Sequence, residues 1–166
     1  LVYDIKYILG NNPLFPELDI TLPGQITKQD TSRTSVQLDS GIYTIGYQGS
    51  HFHFDNEQPV HEVLLQQQEL QSCLVTNAEM LEFIEAGGYK DFKYWLDEGW
   101  SWVEEHRIQA PEYWQLQDGG KWLHYRLNQG LVPVNEQEPL MHISFYEADA
   151  LARFKGKDLP TEFEWE

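Results

Sequence analysis

The residues able to do metal or acid–base chemistry are few and scattered. Six histidines stand at positions 51, 53, 61, 106, 124 and 142. None has a second histidine four residues away, the spacing that would turn two rings on one helix face toward one metal. In an extended segment His51 and His53 point to the same side, and could chelate a metal with His61 as a third ligand. The plainer reading is favoured, a loop with exposed imidazoles, because a metal needs a third ligand that converges. Asp55, Asn56 and Glu57 offer oxygens of the kind calcium takes, but a full site needs about six to eight ligands and no EF-hand spacing surrounds them. A turn held by side chain to backbone bonds is expected there instead. Cys73, the one cysteine, lies among Leu70, Leu74 and Val75 with no histidine close in sequence, and reads as a small buried side chain rather than a nucleophile. Tyr94, Trp95, Trp100, Trp102, Tyr113, Trp114 and Trp122 could line a ligand pocket or a partner surface, although core packing alone accounts for most of such a cluster. The pairs Glu104 with Glu105 and Glu136 with Glu138 have the spacing of any solvated surface. No glycine-rich phosphate loop and no serine nucleophile motif is present.

The elements that must position these residues are legible in part. Tyr43, Ile45 and Tyr47 alternate with Ile42, Thr44 and Gly46, which predicts a half-buried strand from Gly41. His61, Val63 and Leu65 alternate with Val60, Glu62 and Leu64, a second strand able to pair antiparallel with the first. Thr76 with Glu79 forms a capping box before Met80, Leu81 and Ile84, closed by Gly87 and Gly88. Ser144 with Glu147 repeats the device before Ala148, Leu151 and Ala152, closed by Gly156. Phe92, Trp95, Leu96, Trp102 and Val103 have helical spacing, with Gly99 weakening the middle. Residues 11–40 hold Pro13, Pro16, Pro23 and a polar run, and read as an extended linker. Strands and helices do not alternate regularly, so an α+β domain is expected over a parallel sheet.

The two ends carry their own signals. Leu1, Val2, Ile5, Ile8 and Leu9 recur at helical spacing and stop at Gly10, yet no cap precedes Leu1, so the helix is expected to begin upstream. Thr161 and Glu164 form a third capping box, with acids in the first turn where the helix dipole favours them, two residues before the last. The chain is therefore read as a segment of something larger.

Composition narrows the partners. Eleven Lys and Arg against 27 Asp and Glu give a net charge of −16, which repels phosphate backbones and anionic lipid surfaces, so neither nucleic acid nor membrane is an expected partner. No run of about eighteen apolar residues appears, and the opening lacks a secretory pattern. One cysteine rules out an internal disulfide and suits a reducing, cytoplasmic setting. With 41% hydrophobic and 14% aromatic residues the chain can bury one core.

The blocks GIYTIG, FDNEQPVHEV, LVTNAEMLEFIEAGGY, EPLMHISFYEADALARF and LPTEFEWE, in this order, resemble the signature series of the formylglycine-generating-enzyme and sulfatase-modifying-factor superfamily. Within it, the FDNE and GGY blocks, YWLDEGWSWV and the APEYW segment look closer to the iron-dependent sulfoxide synthases of ergothioneine biosynthesis. The opening DIKYILGNNPLFPE is similar to the segment leading out of their helical iron-binding domain. The resemblance implies a modified C-type-lectin-like fold, of which this chain would be an incomplete part: residues 1–40 a linker with the end of a preceding helix, residues 41–166 the first part of the domain. It also implies an Fe(II) centre outside this chain, in the preceding helical domain, where oxygen is used to join a cysteine-type thiol to trimethylhistidine. The small-molecule substrates would meet it between the two domains. The iron-binding histidines would precede residue 1, and the catalytic tyrosine and substrate block would follow Glu166, so no catalytic, cofactor or metal residue is carried over onto this chain. Phe154, often tryptophan in the family, and Lys157-Asp158, where an arginine usually stands, depart from the pattern. Asp55, Asn56, Glu57, His61, Thr76, Asn77, Ser144, Glu147, Thr161 and Glu164 are read as architectural. A formylglycine-generating oxidase, which would need paired cysteines downstream, and a non-catalytic binding module on the same fold stay open, as do ovothiol and selenium-using relatives.

Thr76→Ala should cost about 1 kcal/mol through the lost cap, and an unchanged melting midpoint would contradict it.

Overall fold

The computed structural model describes residues 2–20 and 34–166. In chain order its elements are α1 (Val2–Gly10), β1 (Ser35–Leu38), β2 (Gly41–Ile45), β3 (His61–Leu65), β4 (Gln68–Gln71), α2 (Asn77–Glu85), α3 (Asp97–His106), β5 (Trp114–Gln117), β6 (Lys121–Arg126), β7 (Gly130–Pro133), α4 (Phe145–Phe154) and α5 (Glu162–Trp165). Helices and antiparallel sheets share the chain without alternating, which is the α+β class. Two compact units emerge, Leu1–Asp30 with Leu74–Lys157, and Thr31–Cys73 with Asp158–Glu166.

The larger unit holds the main core. Met80 and Phe83 of α2, Val103 of α3, and Ala150 and Leu151 of α4 are buried with Tyr89 and Trp95. Phe83 is the hub: its ring lies 5.4–6.2 Å from those of Tyr89, Tyr94, Trp95 and Phe154, within the range of favourable aromatic pairs. Gly88 makes room for it, since a Cβ there would come within 2.2 Å of the Phe83 ring. The freed carbonyl of Gly88 accepts the Trp95 indole N–H at 2.8 Å, so the GGY block and the aromatic stretch are one packed corner.

That corner breaks the helix predicted across Phe92–Val103. A 3₁₀ turn covers Phe92–Tyr94, Trp95 and Leu96 are extended, and α3 starts only at Asp97. Helical periodicity there comes from two short pieces facing the same core. Gly99 sits within α3 because the helix passes close to α4, where a Cβ would meet Tyr146 Cβ at 2.7 Å.

The capping boxes form. Glu79 Oε2 accepts the Thr76 N–H at 3.0 Å and its hydroxyl at 3.3 Å. The next two α2 amides, of Asn77 and Ala78, donate to the carbonyls of Glu138 and Glu136. At α5, Glu164 accepts from the Thr161 N–H at 2.7 Å.

The larger unit also contains a three-stranded meander, β5–β6–β7, that residue alternation does not announce. Its first turn contains Asp118-Gly119-Gly120, with both glycines in left-handed backbone, a hairpin signal that could have exposed it. Within the stretch 11–40, the described residues 11–20 and 34–40 make more contacts than a free linker would. Leu18 N–H donates to the Leu127 carbonyl and Tyr125 hydroxyl to that of Pro16, both in the larger unit. Ser35–Leu38 is strand β1, paired with β4. Pro23 and the run Thr27–Arg33 lie outside the described residues.

In the smaller unit β2 and β3 pair antiparallel with Ile45 opposite His61. Gly46 follows at φ +107, where a Cβ would press on Val60 Cα and the carbonyls of Glu57 and Pro59 at 3.1–3.2 Å, so only glycine closes this corner. Among the described residues no helix is long and apolar enough to cross a membrane.

Two magnitudes compete at Gly99. Alanine would gain about 1 kcal/mol of helix propensity, but overpacking against a Cβ on a neighbouring helix costs about 1–3 kcal/mol. Gly99→Ala should therefore lower stability by roughly 1 kcal/mol, whereas a raised midpoint in urea titration would mean the helices can separate freely.

Candidate functional site

Five segments of the larger unit, α2 among them through Asn77, converge on a small cavity of about 30 Å³, room for about one water molecule. α1 supplies Lys6, the loop before β5 supplies Glu112 and Tyr113, β6 supplies His124, Tyr125 and Arg126, and the loop before α4 supplies Pro139, Met141 and His142. The Lys6 ammonium contacts His142 Nε2 and lies 5.4 Å over the Tyr113 ring. Arg126 donates to His124 Nε2 at 3.2 Å and pairs with Glu138. Gly10 of α1 fits against the Tyr113 ring, where a Cβ would stand 2.6 Å away.

Tyr113 and His142 both take positive φ, +70 and +60, a conformation that costs non-glycine residues about 1–2 kcal/mol. The Glu112 N–H to His142 carbonyl bond at 3.2 Å ties the two strained segments together.

The electrostatics follow from burial in a cationic corner. Desolvation, then Arg126, brings His124 down to about 4, and desolvation, then Lys6, does the same for His142. Lys6 is itself lowered, by burial first and Arg126 second. Tyr113 is pushed up to about 12 by burial and Glu112. At neutral pH both imidazoles are therefore neutral acceptors and the phenol a donor. Such groups fasten α1 to β6 and to the 139–142 loop, and none is poised near neutrality for proton transfer.

The motif residues lie mostly elsewhere. Ser144 and Glu147 cap α4, and Glu147, 2% exposed, also accepts the Tyr89 hydroxyl at 2.6 Å. Asn77 is the motif residue that touches the cavity, while its amide donates to the Asn135 carbonyl at 2.9 Å. Asp55–Glu57 is an exposed 3₁₀ turn, in which Glu57 accepts the Phe54 N–H and gives its carbonyl to Tyr47. The three histidines of the possible chelate do not converge: His51 and His53 both engage Tyr47, and His61 engages Pro59 and Phe163. His53 stacks on Tyr47 at 4.6 Å, His61 Nδ1 donates to the Pro59 carbonyl and its ring meets Phe163, and the His51 N–H bonds the Tyr47 hydroxyl. Among the described residues no group of three His, Cys, Asp or Glu side chains is placed to hold a metal ion. Cys73 is half-buried rather than buried, because Leu74 and Val75 beside it face solvent, and Gln71 donates to its sulfur at 3.3 Å.

Of the aromatic cluster, Trp95 belongs to the core, Tyr113 and Trp114 line the cavity, and Trp100 and Trp122 line a second concavity. Sequence spacing could not have assembled Lys6, His124, Arg126 and His142. They come from three distant segments, and no local pattern links them.

The signature of the sulfatase-modifying factor enzyme 1-like domain matches residues 21–166. The chain is 33% identical over 153 residues to the hercynine oxygenase of Mycolicibacterium smegmatis, covering 91% of this chain and 35% of that protein. It is 37% identical over 112 residues to the hercynine oxygenase of Mycolicibacterium thermoresistibile, covering 68% and 24%. To the formylglycine-generating enzyme of Streptomyces coelicolor it is 32% identical over 157 residues, covering 87% and 49%. The chain thus spans between about a quarter and a half of the length of these relatives.

The cavity makes stability acid-sensitive. Both histidines titrate below the 6.5 of a free imidazole, at about 4, so between these values the unfolded chain takes up protons that the folded one refuses. Their contribution is complete above about pH 6.5 and is lost as pH falls toward 4. Glu147 acts in the opposite sense, because burial raises its pKa and the folded state accepts its proton first. His124→Gln, whose amide oxygen can still accept from Arg126, should show a smaller fall in Tm between about pH 7 and about pH 5 than the unaltered protein. The same fall in both would clear His124.

Proposed function

The chain belongs to the sulfatase-modifying factor enzyme 1-like family, and from that premise we propose that it is part of an iron-dependent sulfoxide synthase of ergothioneine biosynthesis. The observation that carries this reading is the comparison itself: both hercynine oxygenases exceed the formylglycine-generating enzyme in identity. In the proposal the whole protein acts on hercynine, the trimethylated histidine, and on a cysteine-type thiol. Its complete domain is of the modified C-type-lectin-like kind, and it works in the cytoplasm. Fe(II), when bound, would supply oxygen activation. We place the iron in a preceding helical domain, as the family resemblance implies, and assign no step of the reaction to this chain.

What this chain's residues contribute is support. Lys6, held between His142 and Tyr113, fastens α1 to the body of the larger unit. In the proposed whole protein α1 is the exit from the iron-binding domain, so this fastening fixes where that domain can sit. Reactive groups must be held within about half an ångström of their working positions, and such seating is how a scaffold away from the chemistry affects rate.

A formylglycine-generating oxidase is the second reading, favoured by the match to about half of the Streptomyces enzyme. One experiment separates the two. Full-length protein supplied with Fe(II), oxygen, hercynine and cysteine or γ-glutamylcysteine should give a sulfoxide detectable by mass spectrometry, while the 166-residue chain alone should give none. Conversion of a peptide cysteine to formylglycine, with no sulfoxide, would replace this proposal by the second reading. Sulfoxide from the short chain would overturn the placement of the iron.

A further inference from the structure

A second concavity of the larger unit, a groove of about 660 Å³, is of the size that small-molecule sites take, about 300–1,000 Å³. It runs between the end of α2, α3 and the β5–β6 hairpin. Trp100 and Trp122 supply aromatic faces, and Ile108 and Leu116 extend the apolar wall. Leu116 is 57% exposed, so part of this wall faces water.

The charges at the groove narrow the occupant. Acids outnumber bases 27 to 11, and Lys93, Arg126, Arg153 and Lys155 each hold a carboxylate within ion-pair distance. Lys90 and Arg107 line the groove, and neither is among the residues with such a pair. A net charge of −16 disfavours anions over the surface as a whole, so two cations against the one carboxylate of Glu104, beside an apolar wall, make a local exception. Glu104 lines the same groove and would repel a second negative charge.

We infer that this groove binds a small aromatic carboxylate with a single negative charge, its ring between Trp100 and Trp122 and its carboxylate toward Arg107 and Lys90. The guanidinium can take both carboxylate oxygens at once, and the indoles accept a flat apolar body. This inference does not rest on the ergothioneine reading.

The test uses 1-naphthaleneacetate and its neutral amide, which share one apolar body, added to full-length protein with its tryptophan indole N–H signals followed by NMR. The carboxylate should shift the Trp100 and Trp122 signals and bind about tenfold tighter than the amide, the size expected of a charge-assisted bond. Lys90→Gln and Arg107→Asn, the latter suited to the left-handed backbone at 107, should each reduce that preference. Trp122→Leu should weaken both ligands alike. Equal binding of acid and amide would overturn the cationic selection. Unmoved Trp100 and Trp122 signals would overturn the site, and would mean that another part of the protein covers the groove.

Discussion

A carboxylate taken out of water must find donors or lose its charge, and Glu147 is 2% exposed. Its two oxygens are shared between two tasks. One accepts the Ser144 N–H at 2.7 Å and hydroxyl at 2.9 Å, which starts α4. The other accepts the Tyr89 hydroxyl at 2.6 Å, which pins the GGY corner. Burial raises the carboxyl pKa while these donors pull it down, and the same burial, with the neighbouring negative charge, raises the Tyr89 phenol. The core around Phe83 depends on this arrangement. Tyr89 and Trp95 are placed against Phe83 by polar bonds at their far ends, one to Glu147 and one to the Gly88 carbonyl. Large aromatic side chains can be buried here because each polar tip has a partner.

The cavity beside α1 solves the opposite problem. There the partly buried groups include the cations Lys6 and Arg126, and desolvation first, then these neighbouring charges, keeps the imidazoles neutral. A neutral imidazole is a good acceptor for an ammonium or guanidinium, so the cluster holds together without a full set of carboxylates. In a chain this acidic, the few cations are used sparingly. Among the described residues Lys93, Arg126, Arg153 and Lys155 are matched with carboxylates, Lys6 fastens α1, and Lys90 and Arg107 line the groove.

Sequence legibility followed the range of the interaction. Capping boxes at Thr76, Ser144 and Thr161 were readable because donor and acceptor lie three residues apart. The β2–β3 pair was readable because alternation marks which face packs. The meander was not, since β5 is exposed at three of its four positions and carries little alternation, leaving only its Asp-Gly-Gly turn as a signal. The Phe92–Val103 stretch misled for a physical reason: side chains facing one core keep helical spacing even when a 3₁₀ turn and two extended residues interrupt the helix.

By itself the amino-acid sequence determined the β2–β3 pair, the capped helices, the α+β class and, through five ordered blocks, the family. Tertiary structure alone decided which polar groups meet. Lys6 and His142 touch across 136 residues, Tyr89 and Glu147 across 58, and no local periodicity records such distances. Backbone propensity acts over a few residues, whereas the cost of burying a charge or a hydroxyl is settled only when distant segments pack and supply the missing partner.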